Sequence, residues 1–357
     1  MLLKQLRKEI DHIDEKILNL LNQRALEVIK VSKIKKKEKL STYAPDREAN
    51  MIARLEKVNK GPFSAQDVKG VFREILSICR AQRAAMKIAY LGPEATFTHI
   101  AAKSKFGKSV DYIECSSIAD VFTEVERGRA DYGVVPIENS TEGAVNHTLD
   151  MFIDSDLKIC SEMYLPIKHN FLSKHSKISA VRKVYSHEQV FAQCRKWLEK
   201  NLPNAKLTPC SSTTGAAMLA ASGKGRAAIA SKVAAEEYKL NLLASSIEDS
   251  AHNITRFLII GTQKVRSTKH DKTSIVFSMK DRAGALHNAL LPFKKSKINL
   301  TKIESRPSKK KVWKYYFFVD IEGHESSPLV EKALKALERE CIFVKILGSY
   351  PKERCSN

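Results

Sequence analysis

The run "HNITRFLIIG" (252–261) sets a hydroxyl and a cation, Thr255 and Arg256, at the mouth of an apolar, β-prone segment closed by Gly261. A threonine hydroxyl can hydrogen-bond a reacting oxygen, and a guanidinium can hold a carboxylate through two parallel bonds. The same small polar types recur at other segment ends: Thr96 and Thr98 after YLG; Glu138, Asn139, Ser140 and Thr141 after GVVPI; Ser186, His187, Gln189 and Gln193 after KVY; and Ser211, Ser212, Thr213 and Thr214 before GAAM. Taken singly, each set is a helix cap, the common fate of such residues. Taken together, they imply a polar cleft beyond the carboxyl ends of strands, where α/β sheets bind ligands and helix N-termini favour anions.

A second candidate lies near the N-terminus. Apolar residues recur with heptad spacing at Leu3, Leu6, Ile10, Ile13, Ile17 and Leu20, then at Val31 and Ile34, and the two seam positions between hold Arg24 and Glu27. A lone arginine in a seam ordinarily sets register or partner choice. Lys35, however, shares its face, roughly 16 Å along the axis, so two long cationic side chains can close on a small dianion between them. Arg7 lies about 25 Å from Arg24 on the same helix. It can therefore serve only a partner's site, which implies an interlocked dimer.

The elements that must position these residues fall into three segments. Residues 1–86 read as helices, one starting near Pro45 and another after the break "GPFS", with Ser64 and Asp67 spaced as a capping box and Val68, Val71, Phe72, Ile75 and Cys79 on its apolar face. Residues 87–264 alternate short strands with helices, an α/β grammar with mostly parallel strands. After the polar stretch 262–272, residues 273–352 follow the order βαββαβ, the ferredoxin-like α+β pattern. Gly284 stands there between a strand and a helix, where backbone can approach a ligand closely.

The net charge of +21 sits mainly in the end segments: +8 in 1–86, +3 in 87–264 and +10 in 265–357. No zinc-finger spacing or RNA-binding aromatic motif accompanies it, so it reads as a solvated basic surface rather than a nucleic-acid site. The seven cysteines are odd in number and never spaced CxxC, which suits free thiols in a reducing compartment. No apolar run approaches membrane-spanning length and no signal-peptide core is visible, so a soluble cytoplasmic protein is expected.

Longer motifs add a resemblance. "LKQLRKEIDHIDEKILNLLNQR…VSKIK…PDRE" resembles the small all-helical chorismate mutases. "YLGPEATFT", "ADYGVVPIENSTEGAVNHTLD", "VYSHEQVFAQCRKWL" and "NITRFLIIG" resemble the prephenate dehydratases. "DRAGALHNAL" with "KIESRPS" resembles the ACT domain. In this order the three are similar to the family of bifunctional chorismate mutase–prephenate dehydratases.

The resemblance implies an intertwined helical mutase (1–86), a two-lobed dehydratase like a periplasmic binding protein (87–264) and an ACT regulatory domain (273–352). Substrates would be chorismate and prephenate, with neither metal nor organic cofactor, and no nucleic-acid or membrane partner. By position, Arg7, Arg24, Lys35, Arg47 and Glu48 would contact chorismate; Ala44, Cys79 and Arg83 depart from the family pattern, and Arg83, where the family usually has Gln or Glu, would still donate to the ether oxygen. In the dehydratase, Thr255 would be the essential hydroxyl and Arg256 a clamp on a substrate carboxylate; a proton would reach Thr255 by relay from water or from an acid such as Glu138, or Thr255 would act by hydrogen bonding alone. Asn139, Ser140, Ser186, His187, Gln189 and Ser212 would complete the site, with Ala95, Thr98 and Glu188 as mild departures. Gly284, Ala285, Leu286, Glu304, Ser305, Arg306 and Pro307 would bind phenylalanine between paired domains of a homo-oligomer and so lower dehydratase activity. Two other readings are a dehydratase whose helices only dimerise, and an amino-acid sensor with no chemistry, which would need neither Thr255 nor Lys35.

Overall fold

The computed structural model describes residues 2–38, 43–81, 86–250, 252–308 and 315–353. Its first part is helical: α1 (Leu2–Lys37), α2 (Pro45–Val58) and α3 (Ala65–Ala81). Ser64 and Asp67 form the expected reciprocal cap on α3. The Asp67 N–H donates to the Ser64 hydroxyl (3.1 Å) and the Ser64 N–H to the Asp67 carboxylate (2.9 Å). Ala44, at the start of α2, offers no side-chain cap. Helix α1 spans 36 residues, about 54 Å, and its heptad residues Leu6, Ile10, Ile13 and Ile17 are 46–56% exposed in the single chain.

The second part is two α/β lobes. The first contains β1 (Lys87–Leu91), α4 (Phe97–Phe106), β2 (Asp111–Cys115), α5 (Ile118–Glu126), β3 (Tyr132–Asn139), β4 (Gly143–Ala144), α6 (Asn146–Asp154) and β5 (Lys158–Pro166). The chain then builds β6 (Asn170–Ser173), β7 (Lys183–Ser186), α7 (Glu188–Gln193), α8 (Arg195–Asn201), β8 (Lys206–Pro209), α9 (Thr213–Ala221), β9 (Arg226–Ala230), α10 (Lys232–Glu237) and β10 (Asn241–Ala244), and returns to the first lobe as β11 (Ile254–Gly261). The sheets run β2-β1-β3-β11-β5, with β4 on β3, and β10-β6-β9-β7-β8. Pairing is parallel in β2-β1-β3 and β8-β7-β9, but β11 is antiparallel to both β3 and β5, and β6 is antiparallel to β9 and β10. The sheets are therefore mixed rather than mostly parallel, because the returning strand enters the first sheet from the opposite direction. After β7 the helical run is broken at Cys194 into α7 and α8.

The third part is β12 (Asp271–Ser278), α11 (Ala285–Lys295), β13 (Leu300–Pro307), β14 (Tyr315–Glu322), α12 (Pro328–Glu340) and β15 (Phe343–Pro351), in sheet order β13-β14-β12-β15. This is the expected ferredoxin-like unit, and its sheet packs on the first lobe. One apolar core joins Ile159, Leu258 and Ile260 of that lobe to Val276, Phe318, Leu347 and Tyr350 of the C-terminal sheet. The two backbones come so close that a Cβ on Gly348 would lie 2.3 Å from the Ile159 carbonyl oxygen. Only glycine fits there.

The helical part is docked as well. Tyr43 is 2% exposed and belongs to the core of the first lobe, with its ring 5.3 Å from Phe106 and 5.1 Å from Tyr132. The Gln263 side chain donates to the Tyr43 carbonyl (3.1 Å) and Arg80 of α3 donates to the Phe106 carbonyl (3.1 Å). Replacing Tyr43 with alanine should lower stability by roughly 3–5 kcal/mol, the usual range for removing a buried aromatic ring. Thermal or urea unfolding of Tyr43→Ala checks this, and an unchanged midpoint would rule out the ring as a structural plug.

Candidate functional site

Antiparallel pairing places Thr255 opposite Asn139 and Arg256 opposite Glu138, and consecutive residues of a strand point to opposite faces. Thr255 and Asn139 thus share one face, Arg256 and Glu138 the other. On the first face Asn139 Nδ2 donates to Thr255 Oγ1 and to Asn253 Oδ1, both at 2.8 Å. Its Oδ1 accepts from the Thr141 N–H (2.9 Å), the Thr141 hydroxyl (2.6 Å) and the Glu142 N–H (3.1 Å). Asn253 Nδ2 donates to Gln193 Oε1 (3.0 Å), which also receives the His169 Nε2 proton (2.8 Å). Gln193 Nε2 reaches back to Thr141 Oγ1 (3.1 Å) and Glu142 Oε1 (2.9 Å). Since Gln193 ends α7 of the second lobe, this network closes the cleft between the lobes. It also sets a direction. Asn139 fills an acceptor position on Thr255, so the threonine proton is left to donate into the cleft.

Other polar residues do more local work. Ser140 pins the strand ends together, donating to the His252 carbonyl (2.6 Å) and accepting from the Ile254 N–H (3.0 Å). Ser186 is fully buried and donates to the Ile229 carbonyl (2.8 Å), so it is a core residue and not the cleft contact expected. Ser212 caps α9 through the Gly215 N–H (2.9 Å), and His187 caps α7 through the N–H of the exposed Gln189 (3.4 Å). In "YLGPEATFT", Thr96 caps α4 while Thr98 is buried. Ala95, with φ 62°, is held by His99, whose Nδ1 accepts the Ala95 N–H at 2.9 Å. Burial, with Lys103 nearby, pushes that imidazole down to about 4.

On the opposite face the Arg256 guanidinium is 5% exposed. It donates to Glu162 (2.8 Å), Asp320 (2.6 Å) and the Tyr350 hydroxyl (3.0 Å). Lys272 adds a second cation against Glu162 (2.9 Å), and Ser274 bonds both Asp320 (2.5 Å) and Tyr350 (2.6 Å). Burial by itself would raise the Asp320 carboxyl, but Arg256, the Ser274 hydroxyl and Lys272 outweigh it and hold it below the ordinary aspartate value. Glu138 joins this side as well, 2.9 Å from Lys302 and 3.7 Å from Arg256.

In the helical part Arg24 Nη1 lies 2.9 Å from Cys79 Sγ, and Glu48 is paired with Arg80. Arg7 and Arg47 are exposed and Lys35 is half-buried, while Arg83 lies outside the described residues. In the C-terminal unit Gly284, at φ 76°, opens α11, followed by half-buried Ala285 and exposed Leu286. Along the edge strand β13, Glu304 and Arg306 share the more buried face, whereas Ser305 and Pro307 are exposed. Arg306 donates to both carboxylate oxygens of Asp150 on α6, each at 3.1 Å, so it is engaged with the first lobe.

Family models match three consecutive segments: chorismate mutase type II over residues 6–84, prephenate dehydratase over 88–265 and the ACT domain over 273–339. The chain is 52% identical over 354 residues to the bifunctional chorismate mutase/prephenate dehydratase of Aquifex aeolicus, covering 98% of both chains. It is 46% identical over 356 residues to the protein of that name from Stutzerimonas stutzeri, again covering 98% of both. The chain belongs to the bifunctional chorismate mutase/prephenate dehydratase family. Among solved structures, the prephenate dehydratase of Arthrobacter aurescens in complex with L-Phe matches with TM-score 0.70 and 34% identity, over 75% of this chain and 90% of that one.

Within this bifunctional family member, then, the expected dehydratase residues divide. Thr255, Asn139 and Ser140 meet at the cleft. His187, Gln189 and Ser212 stand at helix N-termini of the second lobe. Arg256 and Glu138 turn toward the ACT domain. The Arg256 guanidinium, expected as a carboxylate clamp, lies in a buried ion-pair cluster, and Glu138, expected beside the Thr255 hydroxyl, lies against two cations on the other face. Sequence reasoning missed His169 and Asn253 altogether; the adjacency of "HN" to "ITR" was the available signal for Asn253. Arg256→Met should destabilise the protein by about 3–5 kcal/mol by leaving Glu162 and Asp320 buried with too little positive charge. Urea unfolding measures this, and a variant of wild-type stability with only a raised KM would restore the clamp.

Proposed function

We propose that the helical domain rearranges chorismate to prephenate, that the cleft around Thr255 converts prephenate to phenylpyruvate, carbon dioxide and water, and that phenylalanine bound at the ACT domain lowers the second rate. The observation that carries the dehydratase reading is the Asn139–Thr255 hydrogen bond at the lobe junction. It holds the threonine hydroxyl with its proton directed outward. As the ring carboxylate leaves as carbon dioxide, its bonding electrons enter the ring and expel the hydroxyl group. The Thr255 hydroxyl hydrogen-bonds that oxygen as charge grows on it, and the departing hydroxide takes its proton from solvent to leave as water. Aromatisation supplies the driving force, so orientation by the network through Asn253 and Gln193 is the main task of the protein.

The mutase step is pericyclic and needs clamped carboxylates and a donor toward the ether oxygen, roles suited to Arg24, Lys35, Arg47 and the partner chain's Arg7. The uncovered apolar seam of α1 supports such a dimer. The exposed Ser305 and Pro307 of edge strand β13, and the L-Phe held by the Arthrobacter relative, support phenylalanine binding between paired ACT domains. Among the described residues six cysteines are free thiols, which fits a reducing cytoplasm, and no helix is long and apolar enough to cross a membrane.

Purified protein given prephenate or chorismate separately should yield phenylpyruvate from each. Thr255→Ala should lower the rate from prephenate by about 10²–10³, the loss typical of one transition-state donor, with Thr255→Ser keeping much of it and the mutase rate unaltered. Full dehydratase activity in Thr255→Ala would sink the assignment. Mixing Arg7→Ala and Arg24→Ala subunits under exchange should restore part of the mutase activity that each lacks alone; no recovery would argue against a shared site. Added phenylalanine should slow only the step from prephenate, and an unchanged rate would refute the regulatory role.

A further inference from the structure

We infer that Lys302, on β13 of the ACT domain, is a positioning residue for the dehydratase reaction, acting through Glu138. The Lys302 side chain is 10% exposed and its ammonium lies 2.9 Å from Glu138. That nitrogen is buried with no aligned hydrogen bond among the described residues, and Glu138 is its one carboxylate partner among them within ion-pair distance. Glu138 is 39% exposed. A buried ammonium set against a half-open carboxylate is a poor stabilising device, because desolvation of the cation offsets most of the attraction.

Its place in the fold gives it another use. Glu138 directly precedes Asn139, the residue that orients the Thr255 hydroxyl, and it stands opposite Arg256, which directly follows Thr255. Lys302 and Arg256 grip Glu138 from the face away from the cleft. The grip fixes the end of β3 against β11, and so fixes Asn139 relative to Thr255. A cation from a domain outside the lobes thereby sets the geometry of a hydrogen bond inside the cleft.

The inference rests on the dehydratase reading, and one set of proteins separates the two. Steady-state dehydration of prephenate is measured for wild type, Lys302→Met, Lys302→Arg, Glu138→Gln and the Lys302→Met/Glu138→Gln double variant. Mutase rate and thermal midpoint serve as folding controls. Lys302→Met should lower kcat about tenfold with KM within about twofold, a difference of about 1.4 kcal/mol at the transition state. Lys302→Arg should recover most of that loss. In the Glu138→Gln background the Lys302 substitution should cost nothing further, since the two act as one unit. A Lys302→Met enzyme with wild-type kcat, even one with a lowered thermal midpoint, would reduce the lysine to a structural contact and overturn the inference. So would independent, multiplicative losses in the double variant. If Lys302→Met does not fold, the charge-exchanged pair Lys302→Glu/Glu138→Lys takes its place, and failure to regain activity over Glu138→Lys alone overturns the inference. A wild-type protein that forms no phenylpyruvate would overturn the dehydratase reading and this inference with it.

Discussion

The buried ion cluster around Arg256 is the constraint on which the arrangement of the parts depends. Taking a guanidinium, an ammonium and two carboxylates out of water carries a large desolvation cost, and their mutual attraction returns it only with good geometry. The cluster meets that condition by drawing Glu162 from β5, Arg256 from β11, Lys272 and Ser274 from β12, Asp320 from β14 and Tyr350 from β15. The cluster therefore forms fully only when the ACT sheet is seated on the first lobe in one register. Apolar burial at Leu258, Phe318 and Leu347 supplies area without direction, and the charges supply the direction.

Strand β11 divides its labour by face. The face of Thr255 looks into a web of amides and hydroxyls that crosses between lobes, whereas the face of Arg256 looks into the ion cluster. Two adjacent residues of one motif thus face the cleft and the domain contact separately. The division follows from the two-residue period of a strand, which forbids neighbours from sharing a face. It also accounts for Ser140, whose hydroxyl locks β3 to β11 at their common end and keeps the two faces in step.

Much of this was legible in the residues. The capping box at Ser64 and Asp67, the start of α2 at Pro45 and the βαββαβ order depend on local chemistry, and local chemistry is written in short spacings. Long-range pairing is not. The partners of Arg256 lie 94 residues before it and 64 and 94 after it, and no spacing rule points to them, so a clamp on substrate was the natural reading of an arginine beside a threonine. The antiparallel entry of β11 was hidden for the same reason: a strand's direction depends on where the chain has been. The apolar seam of α1 was readable as a seam, but what covers it is not a property of one chain.

Tyr43 carries a consequence for how such a chain could have been assembled or could be divided. The ring sits in the dehydratase core yet lies between the first two helices of the mutase. Splitting the gene anywhere after Tyr43 and before Met86 would hand the second product a hole where an aromatic side chain belongs, and would leave the first product with an apolar ring and nowhere to bury it. The two enzymes are joined like a dovetail rather than a hinge. A free-standing dehydratase drawn from this sequence would have to fill the place of Tyr43 from within, and a replacement mutase grafted onto the front would have to bring its own peg.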